Sequence, residues 1–153
     1  MAKHKERVDQ IDLRLIAFFQ RTAIPFARFS IFLIFFWFGF IKLLGLSPAS
    51  PLAEALTAQT VGMQYFDALF YVLAAIECLI GILFLIPKAT RVVVPLLLVH
   101  MAVVCSPLIL VTSMTWQQFG VPTLEGQYII KNAVVIAIAI GIAASTKPLR
   151  AAR

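Results

Sequence analysis

The stretch DALFYVLAAIECLIGILFLI, residues 67–86, decides the fold because it combines the length of a membrane span with an acid near its centre. About 20 apolar residues in a helix cross a hydrocarbon core roughly 30 Å thick. Glu77 would cost roughly 2.5–3.5 kcal/mol at the centre of such a helix, so residues of this kind usually face a bundle interior and a polar partner. We therefore expect Glu77 to lie at the polar core of a small membrane bundle.

The composition places the rest of the chain in the same class. Of the 153 residues, 61% are hydrophobic and 13% are charged, which is far too apolar for a soluble domain of this size. Three further apolar stretches, about residues 26–46, 92–112 and 128–144, bring the number of spans to four. Residues 1–153 should thus form a single all-α transmembrane domain, a four-helix bundle in a lipid bilayer.

The distribution of basic residues predicts how the bundle is oriented. The outer loops contain no Lys or Arg, whereas the termini and the turn between the second and third spans contain eleven of the thirteen: Lys3, Lys5, Arg7, Arg14, Arg21, Arg28, Lys88, Arg91, Lys147, Arg150 and Arg153. Cytoplasmic loops of membrane proteins carry this excess of positive charge. Both termini should therefore be cytoplasmic, and the net charge of +6 needs no nucleic acid to explain it.

Apolar side chains recur at helical spacing before the first span: Val8, Ile11, Leu15, Phe18 and Phe19. This spacing is typical of an amphipathic helix. We expect residues 1–25 to be cytoplasmic or interfacial, with this helix lying in the membrane surface. The alternative is a lead-in that simply continues into the first span.

Prolines mark two further boundaries. Ser50 followed by Pro51 indicates the cap and first turn of a short outer helix between the first and second spans. Pro107 removes a backbone hydrogen bond to Val103, so a kink is expected in the third span.

Small residues predict which helix faces point inward. In the first span, Phe35, Gly39 and Lys42 share one face, and in the second span Ala74, Cys78 and Gly81 flank Glu77. Small residues let neighbouring membrane helices approach closely. We expect these faces to pack inside the bundle.

The candidate site combines Glu77 with Lys42, Lys131 and Asn132. At 1.5 Å per residue, the two lysines lie roughly 5 Å below the outer boundary and Glu77 roughly 13–15 Å below it, so either lysine could pair with the acid. Two cations and one anion predict an outward-opening pocket for an anionic or electron-rich ligand. The alternative is that both lysines reach the outer headgroups while Glu77 stays protonated.

Four weaker candidates accompany this set. Gln127 lies one turn before Lys131 and could point to the pocket mouth, or it could belong to a solvated helix start. His100 could carry protons between Glu77 and the inner side, since histidine titrates near neutrality; a neutral histidine with one interhelical hydrogen bond is the favoured alternative. Cys78 and Cys105 could form a redox pair, although packing is the commoner role. Nothing in the spacing predicts a metal or haem site.

Three motifs resemble the DoxX-like membrane proteins, including the related group associated with resistance to reactive chlorine species: FFWFGFIKLLG (35–45), IECLIGILFLI (76–86) and LEGQYIIKNAVVIA (124–137). The resemblance covers about residues 27–144. It implies four transmembrane helices and a bacterial inner membrane location, and the family's recurring polar positions match Lys42, Glu77, Lys131 and Asn132.

Members of the wider family are linked to thiosulfate:quinone oxidoreduction or to thiol and oxidative-stress systems. This chain lacks the second subunit that would supply redox chemistry, which puts catalysis by the chain alone in doubt. The leading hypothesis is a redox-linked accessory membrane protein that holds a quinone or a small anionic oxidant or sulfur species. The alternatives are a small-molecule carrier working as a homo-oligomer and a non-catalytic anchor for a partner protein.

Overall fold

The protein, seen here as a computed structural model, is described for residues 2–148, with side chains from residue 7 onward. Four long helices dominate it: α1 (Ala2–Leu43), α3 (Phe66–Phe84), α4 (Thr90–Cys105) and α7 (Leu124–Ala144). A shorter helix, α2 (Ser50–Thr60), follows α1. Among the residues of the charge count, Arg150 and Arg153 and the side chains of Lys3 and Lys5 lie outside this range.

The prediction of four membrane-spanning helices is confirmed at the level of length and composition. Within residues 2–148, four helical segments are long and apolar enough to cross a membrane: Arg7–Leu43, Met63–Phe84, Pro87–Leu110 and Leu124–Ala144. Helix α7 begins four residues earlier than the sequence predicts because Thr123 caps it, its Oγ1 accepting a hydrogen bond from the backbone N–H of Gly126 at 3.1 Å. These segments are compatible with a multi-pass membrane protein.

Helix α1 joins the amphipathic segment and the first span in one element. It runs for 42 residues, with Pro25 inside it, and ends at Leu43 just before Gly45, whose φ is +71°. At 1.5 Å per residue it is about 63 Å long, roughly twice the thickness of a hydrocarbon core. No separate helix precedes the span. The backbone instead follows the alternative, in which the amphipathic segment continues directly into the first span.

The short outer helix is present, but its start differs in detail from the prediction. Ser50 is the first residue of α2 rather than its cap, and Ala49 holds the cap position without a side-chain hydrogen bond. The Ser50 hydroxyl donates instead to the carbonyl oxygen of Ser47 at 3.0 Å. The hydroxyl is thus used within the preceding turn.

Helices α1 and α3 pack at a distance that only glycine permits on either side. A Cβ atom on Gly39 would lie 2.8 Å from both the carbonyl oxygen of Ala74 and Sγ of Cys78, and one on Gly81 would lie 2.8 Å from the backbone nitrogen of Phe36. Close approach through small residues is a common way for membrane helices to associate. The predicted inward faces of the first and second spans are confirmed by this contact.

The main apolar core lies among the four long helices. Its buried members come from all four helices, as follows: Ile31, Phe35, Ile80, Phe84, Val93, Val94, Leu97, Met101, Val135, Ala139 and Ile142. Many large apolar side chains on the outside, such as Phe29, Leu33 and Trp37, are exposed. A surface of this kind suits acyl chains rather than water.

The third span breaks where Pro107 was expected to kink it. Helix α4 ends at Cys105, and two single turns follow, α5 (Pro107–Leu110) and α6 (Thr112–Thr115). Beyond them lies a two-stranded antiparallel ribbon, β1 (Trp116–Gln118) and β2 (Val121–Pro122), in a segment that the sequence treats as a loop. Trp116 fixes the ribbon to α5 by donating its indole N–H to the carbonyl oxygen of Leu108 at 2.9 Å.

The two ends of the bundle differ in what they carry. The ribbon end carries α2 and the β1–β2 ribbon, and the basic end carries Arg28, Lys88, Arg91 and Lys147. Helices α1 and α4 run from the basic end to the ribbon end, and α3 and α7 run back.

We expect Gly39→Ala to lower the free energy of unfolding by about 1–3 kcal/mol, because the new methyl group meets the α3 backbone and forces the helices apart. Gly141→Ala is the matched control, since a Cβ there meets nothing within 4 Å. Unfolding of both variants in detergent micelles measures the difference. Equal stability of the two variants would contradict the packing described here.

Candidate functional site

Three buried side chains from three different helices meet at Glu77. The Nζ atom of Lys42 on α1 donates a hydrogen bond to Oε2 of Glu77 on α3 at 2.6 Å. The Nε2 atom of His100 on α4 lies 3.5 Å from the other carboxyl oxygen, Oε1. Lys42 and Glu77 are each 7% exposed and His100 is 5% exposed. We call this cluster the Glu77 triad.

Helix direction explains why Lys42 reaches the acid. Side chains on a helix lean toward its N-terminus. Because α1 begins at the basic end, Lys42 leans from near the end of α1 toward the middle of the bundle, where Glu77 lies. The predicted pairing of Lys42 with Glu77 is present in the structure.

The same lean of helical side chains directs the second lysine, Lys131, away from Glu77. Helix α7 begins at the ribbon end, so Lys131 leans away from the depth of Glu77. Its Nζ atom lies 5.1 Å from the centre of the Tyr128 ring, and the side chain is exposed. Gln127 is also exposed, and Asn132 is half-buried. The structure thus brings Lys42 but not Lys131 into contact with the acid.

The charges of the Glu77 triad balance when Lys42 and Glu77 are both charged and His100 is neutral. The sum is then zero, and a proton on His100 or on Glu77 leaves one positive charge in excess. A buried charge without a partner is strongly unfavourable. If the triad takes up a proton, the excess positive charge is removed either by passing the proton on or by binding an anion.

The aromatic ring of Phe35 helps to shield the charged groups of the triad from solvent. The Phe35 ring packs edge-on against His100, with ring centroids 5.7 Å apart and an interplanar angle of 63°. Phe35 is itself buried. A low local dielectric strengthens the Lys42–Glu77 attraction and equally raises the cost of leaving either member unpaired.

The two cysteines are free thiols and both are half-buried. Cys78 lies beside Glu77 in sequence but contacts α1, with Sγ 3.8 Å from the carbonyl oxygen of Phe36. Cys105 is the last residue of α4, beyond the level of His100. A disulfide between them is not present, and their redox role stays a prediction.

Two cavities, of about 430 and 500 Å³, lie at the basic end of the bundle. Residues from α1, α4 and the end of α7 line them, whereas Lys42, Glu77, Lys131 and Asn132 do not. The outward-opening pocket expected from the sequence is not one of these two and stays a prediction. Within the described part of the chain, no group of three or more His, Cys, Asp or Glu side chains could hold a metal ion.

Comparison with known proteins adds no relative to this picture. No protein-family model, curated protein or solved structure matches the chain.

One interhelical contact in the structure was not predicted from the sequence. The guanidinium of Arg28 donates to the carbonyl oxygen of Phe84 at 3.1 Å and to Oγ1 of Thr90 at 2.7 Å, joining α1 to the end of α3 and the start of α4. The available signal was spacing, since Arg28 lies seven residues before Phe35 and therefore on the same inward face. From the sequence, Arg28 was counted only among the basic residues that predict the orientation of the bundle in the membrane.

We expect Lys42→Met to lower the free energy of unfolding by about 3 kcal/mol or more, because it leaves a buried carboxylate without its cation. The double variant Lys42→Met/Glu77→Leu removes both charges and should lose less than the sum of the single losses, by about 1–3 kcal/mol. Lys131→Met, which removes an exposed lysine, should leave stability close to wild type. Additive losses across this double-mutant cycle would show that the two side chains do not interact.

Proposed function

We propose that this protein is a redox-linked accessory membrane protein in which Glu77 binds and releases a proton while a quinone or a small anionic oxidant or sulfur species is handled. The observation that carries the proposal is the buried Lys42–Glu77 pair with His100 against its second oxygen. Intramembrane acids paired in this way are typical of proton-handling sites.

The roles of the three side chains follow from their contacts. Lys42 donates a hydrogen bond to Oε2 of Glu77 and provides the positive charge that attracts an anion. His100, whose Nε2 atom faces the other carboxyl oxygen of Glu77, passes protons to and from the acid under this proposal. Quinone reduction consumes protons together with electrons, so a site of this kind would supply the protons.

The electrons would come from a partner protein. The resemblance to DoxX-like proteins implies a separate redox subunit, and this proposal assigns the chain to that family. Its support is that Lys42 and Glu77, two of the family's recurring polar positions, are in contact here. Lys131, another of these positions, is exposed and lies over the Tyr128 ring, so this proposal gives it no part in ligand binding.

The proposed location is a bacterial inner membrane with both termini in the cytoplasm. Its support is the excess of Lys and Arg in the termini and in the turn between the second and third spans.

A second candidate function, that of a structural anchor, is favoured by the place of Lys42 on α1. It lies one turn after Gly39, where α1 and α3 already touch. An ion pair there could serve only to fix the pairing of the two helices.

Ligand retention separates these two functions. Wild-type protein purified in mild detergent should carry a quinone that absorbance and mass spectrometry detect, or should gain thermal stability when ubiquinone or thiosulfate is added. Lys42→Met and Glu77→Gln should abolish that gain, while Lys131→Met serves as the control with an altered surface lysine. If no ligand is bound and the variants merely unfold earlier, the anchor function is correct and the redox proposal is wrong.

Infrared spectroscopy tests the proton step without any ligand. On acidification of the protein in vesicles, wild type should gain a carboxyl band typical of an acid in an apolar environment, as Glu77 takes up a proton. Glu77→Gln should lack this band, and Glu125→Gln, which alters an exposed acid at the start of α7, should retain it. A band that persists in Glu77→Gln would remove Glu77 from the proposed role.

A further inference from the structure

The basic end of the bundle contains two adjacent cavities that share Thr146 in their walls. Arg91, Thr90 and Lys147 line the smaller one, and Arg28 lines the larger one. Arg28 also links the two, because its guanidinium donates to Oγ1 of Thr90. Three cations thus line this region, which consists of two neighbouring open cavities between α1, α4 and the end of α7.

Within the described side chains, residues 7–148, no carboxylate pairs with Arg28, Arg91 or Lys147. Arg28 donates to a backbone carbonyl and a hydroxyl, and Arg91 donates to the backbone carbonyl of Lys147 at 2.6 Å, so both use neutral acceptors. Among the side chains from residue 7 to residue 148, the ion pairs are those of Glu77, in the middle of the bundle. The region therefore attracts an anion, and a guanidinium that keeps free N–H groups suits phosphate oxygens in particular.

Most of the remaining lining residues are apolar. Val94 and Ala143 line the smaller cavity, and Ile24 and Leu85 line the larger one. Thr90 and Thr146 add hydroxyl groups to the lining. An occupant that matches this lining carries an anionic phosphate at one end and hydrocarbon at the other.

We propose that this region binds the phosphate group of an anionic phospholipid, with Arg28, Arg91 and Lys147 around the phosphate and the acyl chains along α4 and α1. Basic cavities between membrane helices on the positively charged side are suited to such headgroups. The site is separate from the Glu77 triad, since no triad member lines either cavity and Glu77 lies seven residues before Phe84, the residue that Arg28 contacts, about 10 Å along the axis of α3.

The test compares lipids of equal acyl chains in nanodiscs or mixed micelles. Phosphatidylglycerol should be retained by the wild-type protein in native mass spectrometry and should raise its Tm, whereas phosphatidylcholine and inorganic phosphate should not. Arg91→Gln/Lys147→Gln should weaken phosphatidylglycerol binding by about 30-fold, because each interfacial cation contributes roughly a factor of five. Both side chains are exposed, so the bundle should still fold.

The matched control is Arg14→Gln/Lys88→Gln, which removes one arginine and one lysine that do not line either cavity. It should bind phosphatidylglycerol as wild type does. Equal weakening in both double variants would show that general surface charge, and not this site, holds the lipid. A Tm gain with inorganic phosphate as large as that with phosphatidylglycerol would overturn the lipid assignment, and so would equal binding of phosphatidylcholine by wild type.

Discussion

A carboxylate in the middle of an apolar bundle needs a cation within hydrogen-bonding distance, and the rest of this structure depends on that requirement. Glu77 meets it through Lys42, 2.6 Å away on another helix. The contact is possible only because α1 and α3 approach closely, which in turn requires glycine at positions 39 and 81. Packing and electrostatics are therefore coupled here: a larger residue at either glycine would separate the helices and also the two charges.

The direction of each helix decides which polar side chains reach the centre. Lys42 and Lys131 lie at similar predicted depths, yet the first pairs with the acid and the second lies over the Tyr128 ring. Side chains lean toward the start of their own helix, and α1 and α7 start at opposite ends of the bundle. Counting residues from the outer boundary places the two lysines at the same depth. The direction of the Cα–Cβ bond explains why only Lys42 reaches the acid.

Much of the fold could be predicted because its signals are local. The spans follow from runs of apolar residues, the break before Pro107 from a missing backbone donor, and the inward face of α1 from the spacing of Phe35, Gly39 and Lys42. The β1–β2 ribbon was missed because its strands are too short to show alternation. The contact of His100 with Glu77 and the bridge from Arg28 to Thr90 join residues distant in sequence, so only the packing of the helices brings them together.

The unbroken course of α1 has a geometric consequence for the first third of the chain. If α1 continues straight through Pro25, the inclination of a part inside a membrane also fixes the inclination of the part outside it. If the last 20 residues or so occupy the hydrocarbon, Phe18 and Phe19 emerge at headgroup level and Val8 stands some 25 Å above the boundary. In that placement, with α1 straight through Pro25, the apolar side chains from Val8 to Phe19 lie outside the hydrocarbon core.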